Sequence, residues 1–303
     1  MAMIILVLWV LTQIIVPCQA SAGDRDPQFK LCIRDCFVDR TCDMSREDSL
    51  LWPCAALCER GCAANITAAR LHGHRKPLQY FGKWSFYSIF GLQEPASTVF
   101  SAGNFIVHWN ALQRGMLTQG PWRWFAVANC NAWLWAVVFH VSDTPLTEAL
   151  DYGGAVIVLW VFLVASVHHV YSTGPLWLMT APCIMGLAAH SQFLFPRIDY
   201  GNNMCVCVSL TIGSALAWLH HLRRRWSQPH SSHLLTFLLL SAVASLLELF
   251  DFPPVFGLCD AHSLWHGATI PASHILYRFL EADRSARHTK SAGDEDNQLT
   301  APD

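Results

Sequence analysis

The chain has 303 residues, 53% of them hydrophobic and only 14% charged, with a formal net charge of -2. A charged fraction well under the roughly 25% of soluble domains excludes an ordinary soluble globular protein, and the near-neutral balance gives no electrostatic basis for a nucleic-acid partner. The 13 Trp and 17 Phe suit contact with hydrocarbon and interface, and the length admits about seven spans of about 20 residues plus one small polar domain.

Residues 1–22 read as a secretory signal peptide. An apolar run from Met3 to Val16 is followed by Ala20-Ser21-Ala22, a small-residue cleavage pattern that places the cut near Gly23. No Lys or Arg precedes the run, so an uncleaved signal anchor is the alternative. Either reading sends the next segment into the secretory lumen.

Residues 23–92 are polar and mixed and hold Cys32, Cys36, Cys42, Cys54, Cys58 and Cys62. Six cysteines in a short luminal segment predict a disulfide-stapled domain, and a zinc site is the alternative. Fifteen pairings are open. Asn65-Ile66-Thr67 is a glycosylation sequon and fits the same compartment.

Seven apolar runs follow, at about 94–111, 122–142, 152–171, 174–194, 203–222, 233–251 and 256–279. The predicted fold is therefore all-α: a seven-span membrane bundle over residues 93–281, preceded by the small luminal domain. An odd number of spans from a luminal start puts the C-terminus in the cytosol. Basic residues agree. Arg114 and Arg123, then Arg223, Arg224 and Arg225, then Arg278, Arg284, Arg287 and Lys290 all fall on that side. The connection holding Asp143, Glu148 and Asp151 is acidic and luminal. Residues 282–303 are polar and expected to be a disordered cytosolic tail.

On this topology His140 ends the second span at the luminal side, and Asp151 opens the third from the same side. His262 and His266 lie one turn apart near the luminal start of the seventh, on one helix face. Ionisable groups at membrane depth mark function by default. Three imidazoles and a carboxylate at one depth can build a catalytic zinc site with an open position for water, and Asp151 is placed to orient that water or take its proton. The bland reading, histidines bonded to neighbouring spans, holds for His168, His169, His190 and His274. The zinc-protease motif is absent, since Ser263 stands where that motif has Glu.

Glu248 and Asp251, near the luminal end of the sixth run, are candidates for orienting the imidazoles, with helix capping as the alternative. Asp260 is a candidate for the same role or a cap for the helix of His262. Trp133, Trp135 and Trp265 suit interfacial anchoring or the lining of an acyl groove.

Several blocks together resemble one family. They are Phe81-Gly82-Lys83-Trp84, Gln93-Glu94-Pro95-Ala96-Ser97, Asn131 through His140 to Asp151-Tyr152, Leu247-Glu248 through Asp251 to Pro254, and Asp260-Ala261-His262 through Trp265-His266. In this order they closely resemble the Per1-like family, the post-GPI-attachment factors, within the CREST group of seven-span hydrolases. The resemblance covers about residues 24 to 281. It implies a luminal Zn2+ on His140, His262 and His266, a catalytic Asp151, and an ER or Golgi membrane. It further implies phospholipase A2-type removal of the unsaturated sn-2 acyl chain from GPI-anchored proteins. A structural Ca2+ near Glu94 is a weaker implication, drawn from related ceramidases. The group has a serine one turn before the first histidine, and here that position is Ala136. Two alternatives therefore stay open: a catalytically impaired lipid-binding member, and a ceramidase-like amidase.

Overall fold

The structure, a computed structural model, describes residues 21–39, 53–114, 120–171, 184–188, 190–191 and 198–299. The signal run, Cys42 and most of the fourth apolar run lie outside them. The described residues are mostly helical, with three isolated β-bridges and no strand. The helices are α1 (Pro27–Asp39), α2 (Cys54–His72), α3 (Pro95–Gln113), α4 (Pro121–Val141), α5 (Pro145–Tyr171), α6 (Tyr200–Arg225), α7 (Ser231–Phe250) and α8 (Ala261–Leu299). Four of them, α4 to α7, are long and apolar enough to cross a membrane.

α1 and α2 form an antiparallel hairpin. Cys32 and Cys36 lie one turn apart on α1, as do Cys58 and Cys62 on α2, so each pair shares a face. The outer members join as Cys32–Cys62 and the inner as Cys36–Cys58. Cys54 is also disulfide-bonded. Phe29, Ala63, Ile66 and Tyr80 pack around the staples, with the Phe29 and Tyr80 rings 4.5 Å apart. Gly23 closes this small core. Its N–H donates to Gln79 O at 2.9 Å, and a Cβ there would lie 2.5 Å from the Tyr80 ring. Asn65 is exposed on α2.

The Cys36–Cys58 bridge closes a loop with a sequence separation of 22, so removing it should cost the hairpin about 3 kcal/mol through unfolded-chain entropy. A Cys36→Ala/Cys58→Ala protein should therefore become protease-sensitive within 53–84 while α3 to α8 stay protected. Limited proteolysis in detergent checks this.

In the main body each helix from α3 to α8 packs on the next, and α8 returns against α3, closing a ring. The core at one end gathers Phe125, Trp218, Leu234, Leu276 and Phe279. A second cluster, Val156, Trp160 and Leu163 with Val206 and Leu210, joins α5 to α6. α4 and α5 approach closely where Gly154 meets Ala132. A Cβ on Gly154 would sit 3.1 Å from the Ala132 Cα, so any larger residue would push the two helices apart by a few tenths of an ångström.

Two boundaries differ from the hydropathy reading. α5 starts at Pro145 rather than 152, because Pro suits the first helical position and Thr144 and Thr147 bond each other reciprocally at its start, at 2.9 and 3.2 Å. Asp151 thus lies in the second turn of α5. Secondly, α8 continues as helix through 282–299, where composition suggests disorder. Asp283 and Arg287, one turn apart and 2.7 Å from each other, support its continuation.

Candidate metal centre

The ring closure brings α8 back beside α3, and the centre forms where the starts of these two helices meet the end of α4. His140, buried at the end of α4, faces His262 and His266 from the first turns of α8. Their ligand atoms all lie within 4.8 Å of one another. His266 Nε2 sits 3.2 Å from His140 Nε2 and 2.9 Å from His262 Nε2.

Each outer histidine is held from behind by a carboxylate. Glu94 Oε2 accepts from His140 Nδ1–H at 2.8 Å, and Glu248 Oε2 accepts from His262 Nδ1–H at 2.9 Å. With the protons committed to Nδ1, both Nε2 lone pairs turn inward. His266 can donate to only one of them, and its own Nδ1 is buried with no hydrogen bond among the described residues. One inward lone pair is then left with no hydrogen to accept, an arrangement that a bound cation would satisfy. A tetrahedral ion bound at about 2.0–2.1 Å puts its ligand atoms about 3.3 Å apart, close to the spacing found. The imidazoles, their spacing and their carboxylate partners fit a divalent metal.

The scaffold around this trio is specific. Glu94 binds His140 twice, since its backbone N–H also donates to His140 O at 2.9 Å. Asn104 on α3 donates to His266 O at 2.7 Å. Asp260 Oδ1 accepts from Ser263 N, and Ser263 Oγ accepts from Asp260 N, both at 2.8 Å. That reciprocal cap starts the helix of His262 and His266. Trp133 sets its ring 5.1 Å from that of His266.

Asp151 is half-buried and lies within electrostatic reach of His140, His262, Glu94 and Lys83. Ala136 is buried one turn before His140. α4 and α5 run antiparallel from the Ala132–Gly154 contact. Four residues along α4 and three back along α5, Ala136 and Asp151 share a level.

Of the other acidic candidates, Glu248 reaches an imidazole and Asp260 caps. Asp251 is turned away. It accepts from Gln79 Nε2 at 2.6 Å and Trp84 Nε1 at 2.8 Å, fastening the hairpin domain to the end of α7. Sequence reasoning missed Glu94 as a partner of His140. The available signal was its place at the start of α3, on the same side as the histidines.

Lys83 was missed as well. Its ammonium lies 2.5 Å from both Asp143 and Glu148 and 4.9 Å above the Phe139 ring. Tyr200 donates to Glu148 from α6. Burial pulls the Lys83 pKa down, but the Asp143 and Glu148 carboxylates outweigh it and hold the group above the usual lysine range.

Long apolar helices closed around two buried histidines and one half-buried one, each outer one braced by a carboxylate, define a helical membrane protein with a polar centre at one end of its bundle. The chain belongs to the Per1-like family, whose pattern matches residues 45–284. It is 33% identical to post-GPI attachment to proteins factor 3 of Drosophila melanogaster, covering 88% of this chain and 90% of the relative. It is likewise 33% identical to the protein PER1 homolog of Schizosaccharomyces pombe, over 86% of each. To the GPI-specific phospholipase A2-like PGAP3 of Cricetulus griseus it is 35% identical, over 87% of this chain and 89% of that one.

Proposed function

We propose that the protein is a GPI-lipid hydrolase that removes the unsaturated sn-2 acyl chain from GPI-anchored proteins. The observation that carries this reading is the convergence of three Nε2 atoms braced by Glu94 and Glu248, in a chain whose relatives bear GPI-remodelling names. A zinc ion on the three histidines would supply Lewis acidity at the ester carbonyl and lower the pKa of water toward about 7.

The chain's own residues do the rest. Glu94 and Glu248 fix the tautomers of His140 and His262. The Asp151 carboxylate takes the proton of the attacking water and passes it to the sn-2 glycerol oxygen as the acyl bond breaks. A free fatty acid and a lyso-GPI leave. α3 to α8 and the run at 174–194 make seven spans, with the histidines in the luminal leaflet, so the lipid enters sideways without leaving the membrane. A cleaved signal, a glycan on Asn65 and an ER or Golgi membrane complete the proposal.

One observation favours a second reading. Ala136 offers a methyl group where the resembled group typically has a serine, which suits a member with weakened turnover that still binds the lipid.

His262→Ala should abolish zinc binding at the three-histidine centre and acyl release while the purified protein stays monodisperse. Retained acyl release from a GPI lipid by that variant would falsify the mechanism. In cells lacking the protein, GPI anchors should keep their unsaturated sn-2 chains.

A further inference from the structure

A second group of ligating side chains occupies the opposite end of the bundle. His169 in the last turn of α5, His221 near the end of α6 and Asp283 on α8 offer ligand atoms that all lie within 4.8 Å of one another. Eighteen residues of α5 separate Asp151 from His169, about 27 Å at 1.5 Å per residue. The two clusters are therefore separate.

The group is built like a site. The Asp283 side chain is 1% exposed, and its two oxygens are directed apart. Oδ2 lies 3.1 Å from His169 Nε2. Oδ1 lies 3.1 Å from His230 Nε2, at the start of α7. His221 is 5% exposed, and its buried Nε2 makes no hydrogen bond among the described residues. Its ring centroid is 5.4 Å from that of His169. Trp218 and Phe279 wall the group from the apolar core.

A cation already tests the site. Arg287 Nε donates to Asp283 Oδ2 at 2.7 Å, and its Nη2 comes within 3.1 Å of His169 Nε2. The guanidinium thus touches two of the three ligand residues. Its side chain is 39% exposed, free to swing out.

We propose that His169, His221 and Asp283 form a second metal site for a divalent transition ion, with Arg287 as the cation that fills it when no metal is bound. Two imidazoles and one carboxylate select zinc-like ions over calcium or magnesium. His230, donating to the far carboxylate oxygen, orients Asp283 as partners of metal ligands do. Loading moves the His169 proton from Nε2 to Nδ1. The Trp122 indole N–H, which now points at Nδ1 from 3.3 Å, then gives up that bond. The ion ties α5, α6 and α8 at the end away from the three-histidine centre, and it serves the fold rather than the chemistry.

The test uses the full-length protein in detergent, stripped with a chelator and titrated with zinc alone. Wild type should take up two ions per chain, and His262→Ala, His221→Ala and Asp283→Asn one each. His230→Ala should weaken the second site by about 10–100-fold. Arg287→Gln should tighten it, which a merely structural ion pair would not do. Zinc uptake unchanged from wild type in both His221→Ala and Asp283→Asn overturns the inference. One ion in wild type, lost in His262→Ala, sinks this site and leaves the proposed hydrolase standing. One ion, lost only in His221→Ala, does the reverse.

Discussion

Lys83→Met should destabilise the protein by about 3–5 kcal/mol, the usual cost of removing one partner from a buried ionic group. The Lys83 side chain is 23% exposed, and those of Asp143 and Glu148 are 20% and 15%. Without the ammonium, two carboxylates remain close together and poorly hydrated. The pKa of Lys83 is raised in the folded state, so its contribution is fully present below the ordinary lysine value and is lost only as pH rises through the shifted one. The loss therefore shows at neutral pH. It should appear as a lower apparent melting temperature in detergent, and Lys83→Met/Asp143→Asn should recover part of it by removing one stranded charge. An unchanged melting curve for Lys83→Met would show that the group is well solvated. Because Asp143 and Glu148 flank the short turn between α4 and α5, zinc content and rate should fall together in the single variant.

The second large effect is a gain. Removing one oxyanion donor costs other hydrolases about 2.7–4 kcal/mol, or about 10²–10³ in rate. If Ala136 leaves that donor out, Ala136→Ser should raise acyl release by about 10²-fold with little change in zinc affinity. The position is buried, level with Asp151 and one turn from His140. A small hydroxyl there has a carbonyl one turn back as its resting partner. Single-turnover acyl release from a GPI lipid decides between outcomes. An equal rate in both proteins would remove the case for an impaired member. Activity only in the serine variant would establish it.

What the sequence revealed, and what it hid, follows from physical range. The grouping of His140, His262 and His266 was legible because hydropathy places all three near the same ends of their apolar runs, and the structure brings their ligand atoms together. The pairing Cys32–Cys62 and Cys36–Cys58 was legible in principle. Both helices carry cysteines four apart, and an antiparallel hairpin joins outer to outer. Glu94 was hidden because its grip on His140 depends on ring closure between α3, α4 and α8. Asp251 misled by proximity in sequence: it lies three residues after Glu248, yet the end of α7 turns it toward Gln79 and Trp84. Lys83 was hidden for the same reason as Glu94, since its partners lie 60 residues or more downstream. The start of α5 escaped because its first turns are polar, and hydropathy registers lipid contact rather than helix.

The closed ring also carries a consequence for biosynthesis. α4 brings one imidazole, and the other two arrive only with α8, the last helix to be made. Glu248 comes just before them on α7, and Glu94 has by then waited since the residue that precedes α3. A nascent or truncated chain halted before residue 262 has a single histidine of the set and cannot assemble the centre. On the proposed function, hydrolysis can begin only once α8 has docked, so completion of the chain is itself the safety catch.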